Sequence, residues 1–128
     1  MKDIYSGLGI VQALAPAVVT ATATSAEIDL QGFNSAMVAI NTGAIAAAGD
    51  FTTKLQESDT TTSGDFVDVA AANLLGVFPA SLAADSVYKV GYVGNKRYLR
   101  TVTTKNSGTS VAAGIMIVLG HPSDAPVA

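Results

Sequence analysis

From Pro16 onward this chain leaves no room for a long helix. Short runs of β-branched and apolar residues are interrupted again and again by turn residues, and that rhythm limits the fold more than any other feature. Val18, Val19, Thr20, Thr22 and Thr24 read as a first strand, and Glu27-Ile28-Asp29-Leu30-Gln31 alternates strictly until Gly32. Ala36 to Thr42 is mostly apolar and reads as a strand buried on both faces, ahead of a loop at Ala46-Ala47-Ala48-Gly49-Asp50. Phe51 to Ser58 alternates again. It puts Phe51, Thr53, Leu55 and Glu57 on one side and Thr52, Lys54, Gln56 and Ser58 on the other, with Phe66-Val67-Asp68-Val69 as the partner strand. Ala70 to Leu75 fits one helical turn or a bend, and Val77-Phe78 before Pro79 suits a sheet edge. Ser86 to Val93, Tyr98 to Thr104 and Val111 to Leu119 complete the set, with Gly94-Asn95 and Asn106-Ser107-Gly108 as turns. About eight strands at roughly 8–15-residue spacing, with no helix for a βαβ crossover, predict an all-β antiparallel sandwich or barrel.

The two ends read differently from the middle. In Met1 to Leu14 the apolar residues Ile4, Leu8, Val11 and Leu14 have the spacing of a short helix, Gly7 and Gly9 weaken it, and Pro16 closes it. Gly7 to Ala15 also has the apolar character of a signal-peptide core, and Ala13-Leu14-Ala15 the small residues of a cleavage site. The expectation adopted is a retained arm. Gly120 to Ala128 holds two prolines and is expected to be irregular. The organisation expected is therefore an arm over 1–15, a β-sandwich over 16–119 and a tail over 120–128.

Composition bears on what such a sandwich meets. Hydrophobic residues make up 49% of the chain and charged residues only 13%, about half the usual share. A surface so poor in charge is expected to be partly covered by other protein chains. A net charge of −3 gives no electrostatic footprint for nucleic acid. The longest apolar run, Val111 to Leu119, is far too short for a membrane-spanning helix. No nucleic-acid or membrane partner is expected.

The stretch Lys54-Leu55-Gln56-Glu57-Ser58-Asp59-Thr60-Thr61-Thr62-Ser63-Gly64-Asp65-Phe66 carries three carboxylates, Glu57, Asp59 and Asp65, among hydroxyls. A helix-loop-helix calcium loop needs alternate oxygen ligands, a central Gly and a closing Glu. Here Gly stands at 64 and no Glu ends the loop, which leaves only a looser Ca²⁺ site open. A glycosidase pair needs two carboxylates facing each other across about 5–10 Å, whereas Glu57 and Asp59 share a strand face and Asp65 lies past a turn. The reading adopted is a hairpin loop, with Gly64 at positive φ and Asp65 satisfying local backbone donors. No Cys is present and His121 is the single histidine, so a zinc set is not assembled. A Ser-His-Asp relay would have to join His121 to Asp124 and a serine, in a proline-bounded tail with nothing to hold the imidazole. Gly7-Leu8-Gly9-Ile10-Val11-Gln12 fails the dinucleotide fingerprint at its third Gly and follows no strand. No enzyme activity, cofactor or metal is expected. Lys96-Arg97-Tyr98-Leu99-Arg100 gathers three of the seven basic residues. It reads equally as a cationic patch for an acidic partner surface and as a strand start whose Lys and Arg stems cover apolar surface.

Several segments together resemble a known group: Ile28-Asp29-Leu30-Gln31-Gly32-Phe33, Lys54 to Asp59, Gly64-Asp65-Phe66-Val67-Asp68-Val69, Lys96 to Arg100 and Gly120-His121-Pro122. The chain resembles small structural proteins encoded beside the major capsid gene of tailed bacteriophages and prophages, some of them capsid cement, or decoration, proteins. The resemblance implies a jelly-roll-like β-sandwich on the outer surface of the phage head, made in the bacterial host cytoplasm. Such proteins bind the major capsid protein, associate with themselves, here as a dimer ahead of a trimer, and staple neighbouring capsid subunits. No catalytic residue carries over. The contact residues expected are Ile4, Tyr5, Leu8 and Val11 of the arm, Lys96, Arg97 and Arg100 of the basic cluster, and His121 and Pro122 of the tail. The alternatives are a head spike, a head–tail joining or tail protein, or a carbohydrate-binding module using Tyr88 and Tyr92 on one strand face.

Overall fold

A computed structural model describes residues 3–123. Ten strands follow in order: β1 (Gly9–Val19), β2 (Ala23–Thr24), β3 (Ile28–Asp29), β4 (Phe33–Ala46), β5 (Asp50–Ser58), β6 (Val67–Asp68), β7 (Leu74–Leu75), β8 (Val87–Tyr92), β9 (Tyr98–Ser107) and β10 (Ser110–Pro122). Among the described residues the only helical pieces are single 3₁₀ turns at Tyr5–Gly7, Ser63–Asp65 and Ala71–Asn73. All pairing is antiparallel. One sheet has the order β1-β10-β4-β8-β7; the other runs β2-β9-β5-β6, with β3 also on β9. With the two-residue β3 and β7 set aside, the eight remaining strands form two interleaved four-stranded sheets, the arrangement of a jelly roll.

The core lies between the sheets and follows from the alternation. On β5 Phe51, Thr53, Leu55 and Glu57 are buried and Thr52, Lys54 and Gln56 are not, as the sequence predicts. β9 answers with Leu99, Thr101 and Thr103, and β10 with Val111, Ala113, Ile115, Ile117 and Leu119. Phe51, Ile40, Leu99, Ile117, Val38, Val90 and Val111 are the largest fully buried apolar side chains. Each is worth about 1.5–3 kcal/mol of burial.

Several expectations need correction. The segment with helical spacing is a strand: Gly9 to Gln12 pairs with Leu119 to Met116, and β1 continues through bulges to Val19 opposite Val111. The apolar spacing of Ile4, Leu8, Val11 and Leu14 fits a helix, but β10 supplies the backbone partners that decide the matter, and Gly7 and Gly9 weaken the alternative. Pro16 sits at the bulge between Leu14 and Ala17, where its missing N–H costs nothing. The expected strand over Val18 to Thr24 is broken in two, because the chain leaves one sheet at Val19 and enters the other at Ala23. β4 is not buried on both faces: Ala36, Val38, Ile40 and Thr42 are buried and their neighbours are not. Gly120, His121 and Pro122 are not tail but the end of β10, with Pro122 opposite Phe33. The rest of the expected tail, beyond Ser123, lies outside the described residues, as do Met1 and Lys2. Val77-Phe78 is not in a strand.

Candidate functional site

The three carboxylates of the acidic stretch do not converge. Glu57 ends the buried face of β5 and accepts a 2.6 Å hydrogen bond from the Tyr92 hydroxyl of β8, which joins the two sheets across the interior. Asp59 pairs with Lys96 at 2.9 Å. Asp65 accepts a 2.7 Å bond from the Thr60 hydroxyl, closing the loop on itself. Among the described residues no group of three His, Asp or Glu side chains gathers as a metal site. The hairpin itself is present, since Gln56 and Glu57 pair with Asp68 and Val67. Its loop turns through the 3₁₀ turn Ser63–Asp65 rather than through a positive φ at Gly64. Asp65 is held by a side-chain hydroxyl, not by backbone donors.

The Tyr92 hydroxyl also accepts the backbone N–H of Lys96 at 3.0 Å. Burial, first, and the bond to Glu57 push its pKa well above the usual phenol range. Gly94 is needed beside it, because a Cβ there would stand 2.4 Å from the Tyr92 oxygen. Tyr92 is 4% exposed, and the half-buried Tyr88 hydroxyl takes the Ala83 N–H at 3.0 Å. The two tyrosines do share a strand face, but it is the inner one, so they form no open platform for a sugar ring.

The basic cluster divides. Lys96 is held by Asp59, and this contact raises its pKa. Arg97 grips Asp29 with two bonds, at 3.0 and 2.9 Å, and also Gln31 at 2.7 Å. Those bonds hold the Asp29 carboxyl below the usual carboxylate range. Arg100 lies on the outer face of its sheet, bonded to Gln56 and Ser63, with its guanidinium 4.5 Å from the Phe66 ring centre. Gln56 and Lys54 in turn hold Asp68, lowering its pKa. Each cation of the cluster thus has a partner within the chain, and it is the Arg100 guanidinium that lies over apolar surface, the Phe66 ring.

Lys96 and Arg97 border a cleft of about 510 Å³, with Phe33, Asn34 and Ser35 of β4 on its other side. At its margin Ser35 Oγ lies 2.8 Å from His121 Nδ1, and Asn34 donates to the His121 carbonyl at 3.0 Å. His121 is exposed, has φ of 48°, and hydrogen-bonds no acidic side chain among the described residues. Among the described residues this is a hydroxyl–imidazole pair with no carboxylate on the ring, and Asp124, the acid of the relay considered from the sequence, lies outside them.

The expected contact residues of the two ends come together on one sheet. Leu8 lies against Gly120, and Val11 is paired with Ile117. Ile4 and Tyr5 project at 74% and 80% exposure from the first 3₁₀ turn. Around them spreads a surface that inspection of single segments misses. The outward positions of β1, β10, β4 and β8 include Ile10, Val118, Met116, Met37, Ala39 and Val87, with Lys89 as the one cation of β8. A groove of about 320 Å³ runs along it between Ile10, Leu14, Pro16 and Met116. The signal in the sequence was the absence of any charged residue between Asp3 and Glu27.

No family model matches the chain, and no curated protein matches its sequence. Among solved structures it is similar to the SPBc2 prophage-derived protein YomS, with a TM-score of 0.57 and 12% identity over 88% of this chain and 91% of that one. It is also similar to a chain from the structure of infectious bursal disease virus strain Gx, with a TM-score of 0.50 and 14% identity over 93% of this chain. It spans 34% of that viral chain. At these identities the likeness is one of fold.

Proposed function

We propose that this protein is a structural component of a virion, and that its role is that of a capsid cement protein on the outer surface of a phage head. The observation that carries the reading is the likeness of fold to a prophage-derived protein over 88% of this chain and 91% of that one. The viral chain sharing the fold and the resemblance of the sequence to proteins encoded beside major capsid genes support it. So does the charge-poor outer face of the β1-β10-β4-β8 sheet, which suits a surface that spends its working life against protein.

The mechanism follows from linkage. A protein that binds the expanded shell, and neither the precursor shell nor free subunits, stabilises that shell by its binding free energy. Many copies on one lattice add avidity without new contacts. The partner is the major capsid protein, and no nucleic acid or membrane takes part. The test is to co-express the chain with the major capsid protein of its genome, sediment the shells and measure the ratio of the two by gel densitometry. A saturable, near-stoichiometric ratio found only on expanded shells supports cement. A handful of copies per particle indicates a joining, spike or tail role, and absence from the pellet removes the capsid reading.

A further inference from the structure

The four sheet edges of this sandwich are not alike. β2 and β3, which border β9, are two residues each, as are β6 and β7. Edges this short are the usual protection against stray strand pairing. The bare part of β8 beyond β7 carries Lys89, another such device. β1 is the exception. It is 11 residues long, it pairs only with β10, and no other backbone hydrogen bond reaches it among the described residues. A bulge after Gln12 and a second after Leu14, the latter holding Pro16, protect the rest of the strand. Its first part, Gly9 to Gln12, keeps unbroken register with β10 and has neither charge nor proline.

We propose that the free edge of β1 pairs with β1 of a second copy, antiparallel about a two-fold axis, joining the two five-stranded sheets into one. An unpaired row of N–H and C=O groups selects an extended strand as its occupant. A two-fold contact sets each residue near its own copy, so a charged strip would repel itself. This strip has no charge from Ile4 to Ala26 in a chain that is otherwise net acidic, −3 overall. Gly9 to Gln12 spans about 14 Å at roughly 3.4 Å per residue. The strand edge is flanked by exposed apolar groups, Ile4, Tyr5, Ile10 and Val18, which extend the contact toward the roughly 800 Å² per partner of a stable interface. The inference stands apart from the virion reading, since the free chain dimerises by this edge whether or not it binds a shell.

Sedimentation equilibrium of the free full chain tests it. The expected result is a monomer–dimer equilibrium, with Ile10→Lys/Gln12→Lys raising Kd by at least about tenfold through like charges set opposite one another. Both positions are exposed, and an unchanged circular dichroism melt checks that the variant is folded. The chain has no Cys, so single nitroxide labels report the geometry. Labels on Gln12→Cys should lie closer together in the dimer than labels on Val87→Cys at the opposite edge. A chain that stays monomeric at all concentrations, a dimer indifferent to the lysines, or β8 labels closer than β1 labels overturns the proposal.

Discussion

Replacing Tyr92 by Phe removes one oxygen and leaves the ring in place, which makes it a sharp probe of what joins the two sheets. The hydroxyl donates to the 8%-exposed Glu57 and accepts from the Lys96 backbone, so a buried side chain and a part-buried N–H lose a partner at once. A hydrogen bond to a charged group is worth about 1.5–3 kcal/mol, and a buried group left unpaired keeps its full desolvation cost. A loss of about 2 kcal/mol is expected. At about 2.1 cal/mol/K per residue, 128 residues give about 0.27 kcal/mol per degree, hence a Tm lower by about 7 °C. Glu57→Gln keeps an acceptor and should lose about 1 kcal/mol, and the double variant less than the sum of the two. The pH dependence has a definite sign. The folded phenol has a pKa above the unfolded value of 10.0, so its contribution is whole below about pH 10 and is lost as pH rises past it. Urea melts at rising pH should therefore show wild-type stability falling above pH 10 more steeply than that of Tyr92→Phe. A Tyr92→Phe loss under about 0.5 kcal/mol, with parallel alkaline limbs, would refute the bond as a support.

Two further outcomes are expected. Thr53 and Thr103 face each other across β5 and β9, with hydroxyls 3.1 Å apart and both side chains buried. Thr103→Val alone should cost about 1–2 kcal/mol and the double Thr→Val variant close to nothing, by urea denaturation, because the pair is then replaced by matched apolar groups. Asp29 and Asp68 are held below the usual carboxylate range by Arg97, and by Gln56 and Lys54. Their contribution is present above about pH 4 and is lost as pH falls, so Asp29→Asn/Asp68→Asn should flatten the acid limb of a pH–Tm profile.

The sequence discloses what alternation can disclose. The inward set of β5, the strand partners after it and the antiparallel class are all legible, because a period of two with turns between leaves little else. The N-terminal strand is not legible, since Ile4, Leu8, Val11 and Leu14 satisfy a helix as well as a strand and β10, the partner that decides, lies a hundred residues away. Pro122 looks like the mark of a tail because a proline ends a central strand, yet it closes β10 at the strand's last residue. The Tyr92–Glu57 bond is half legible: each residue falls on an inward face, and only the packing of one sheet on the other brings them together. The basic cluster, which reads equally as a patch and as a strand start, is the reverse case: adjacent in sequence, Lys96, Arg97 and Arg100 find Asp59, Asp29 and Gln56 on three different segments.

That division of charge gives the molecule a direction. The outer face of the β9-β5 sheet satisfies itself through Arg100, Gln56, Lys54 and Asp68, as a face toward water does. The outer face of the other sheet has Met37, Met116, Val118, Ala39 and Ile10 in its place. If the chain is seated on a shell, we expect this second face to turn toward protein, and two methionines would record it. Met116 is 42% exposed and Met37 is half-buried beside it across β10 and β4. Thioether oxidation follows exposure, so brief peroxide treatment of the free chain should oxidise Met116 faster than Met37. On saturated shells the Met116 rate should fall severalfold, while labelling of Lys54 on the opposite face stays as it was. Protection of Lys54 with Met116 still reactive would turn the molecule over on the shell, and equal protection of both faces would mean that neither face alone is the seat.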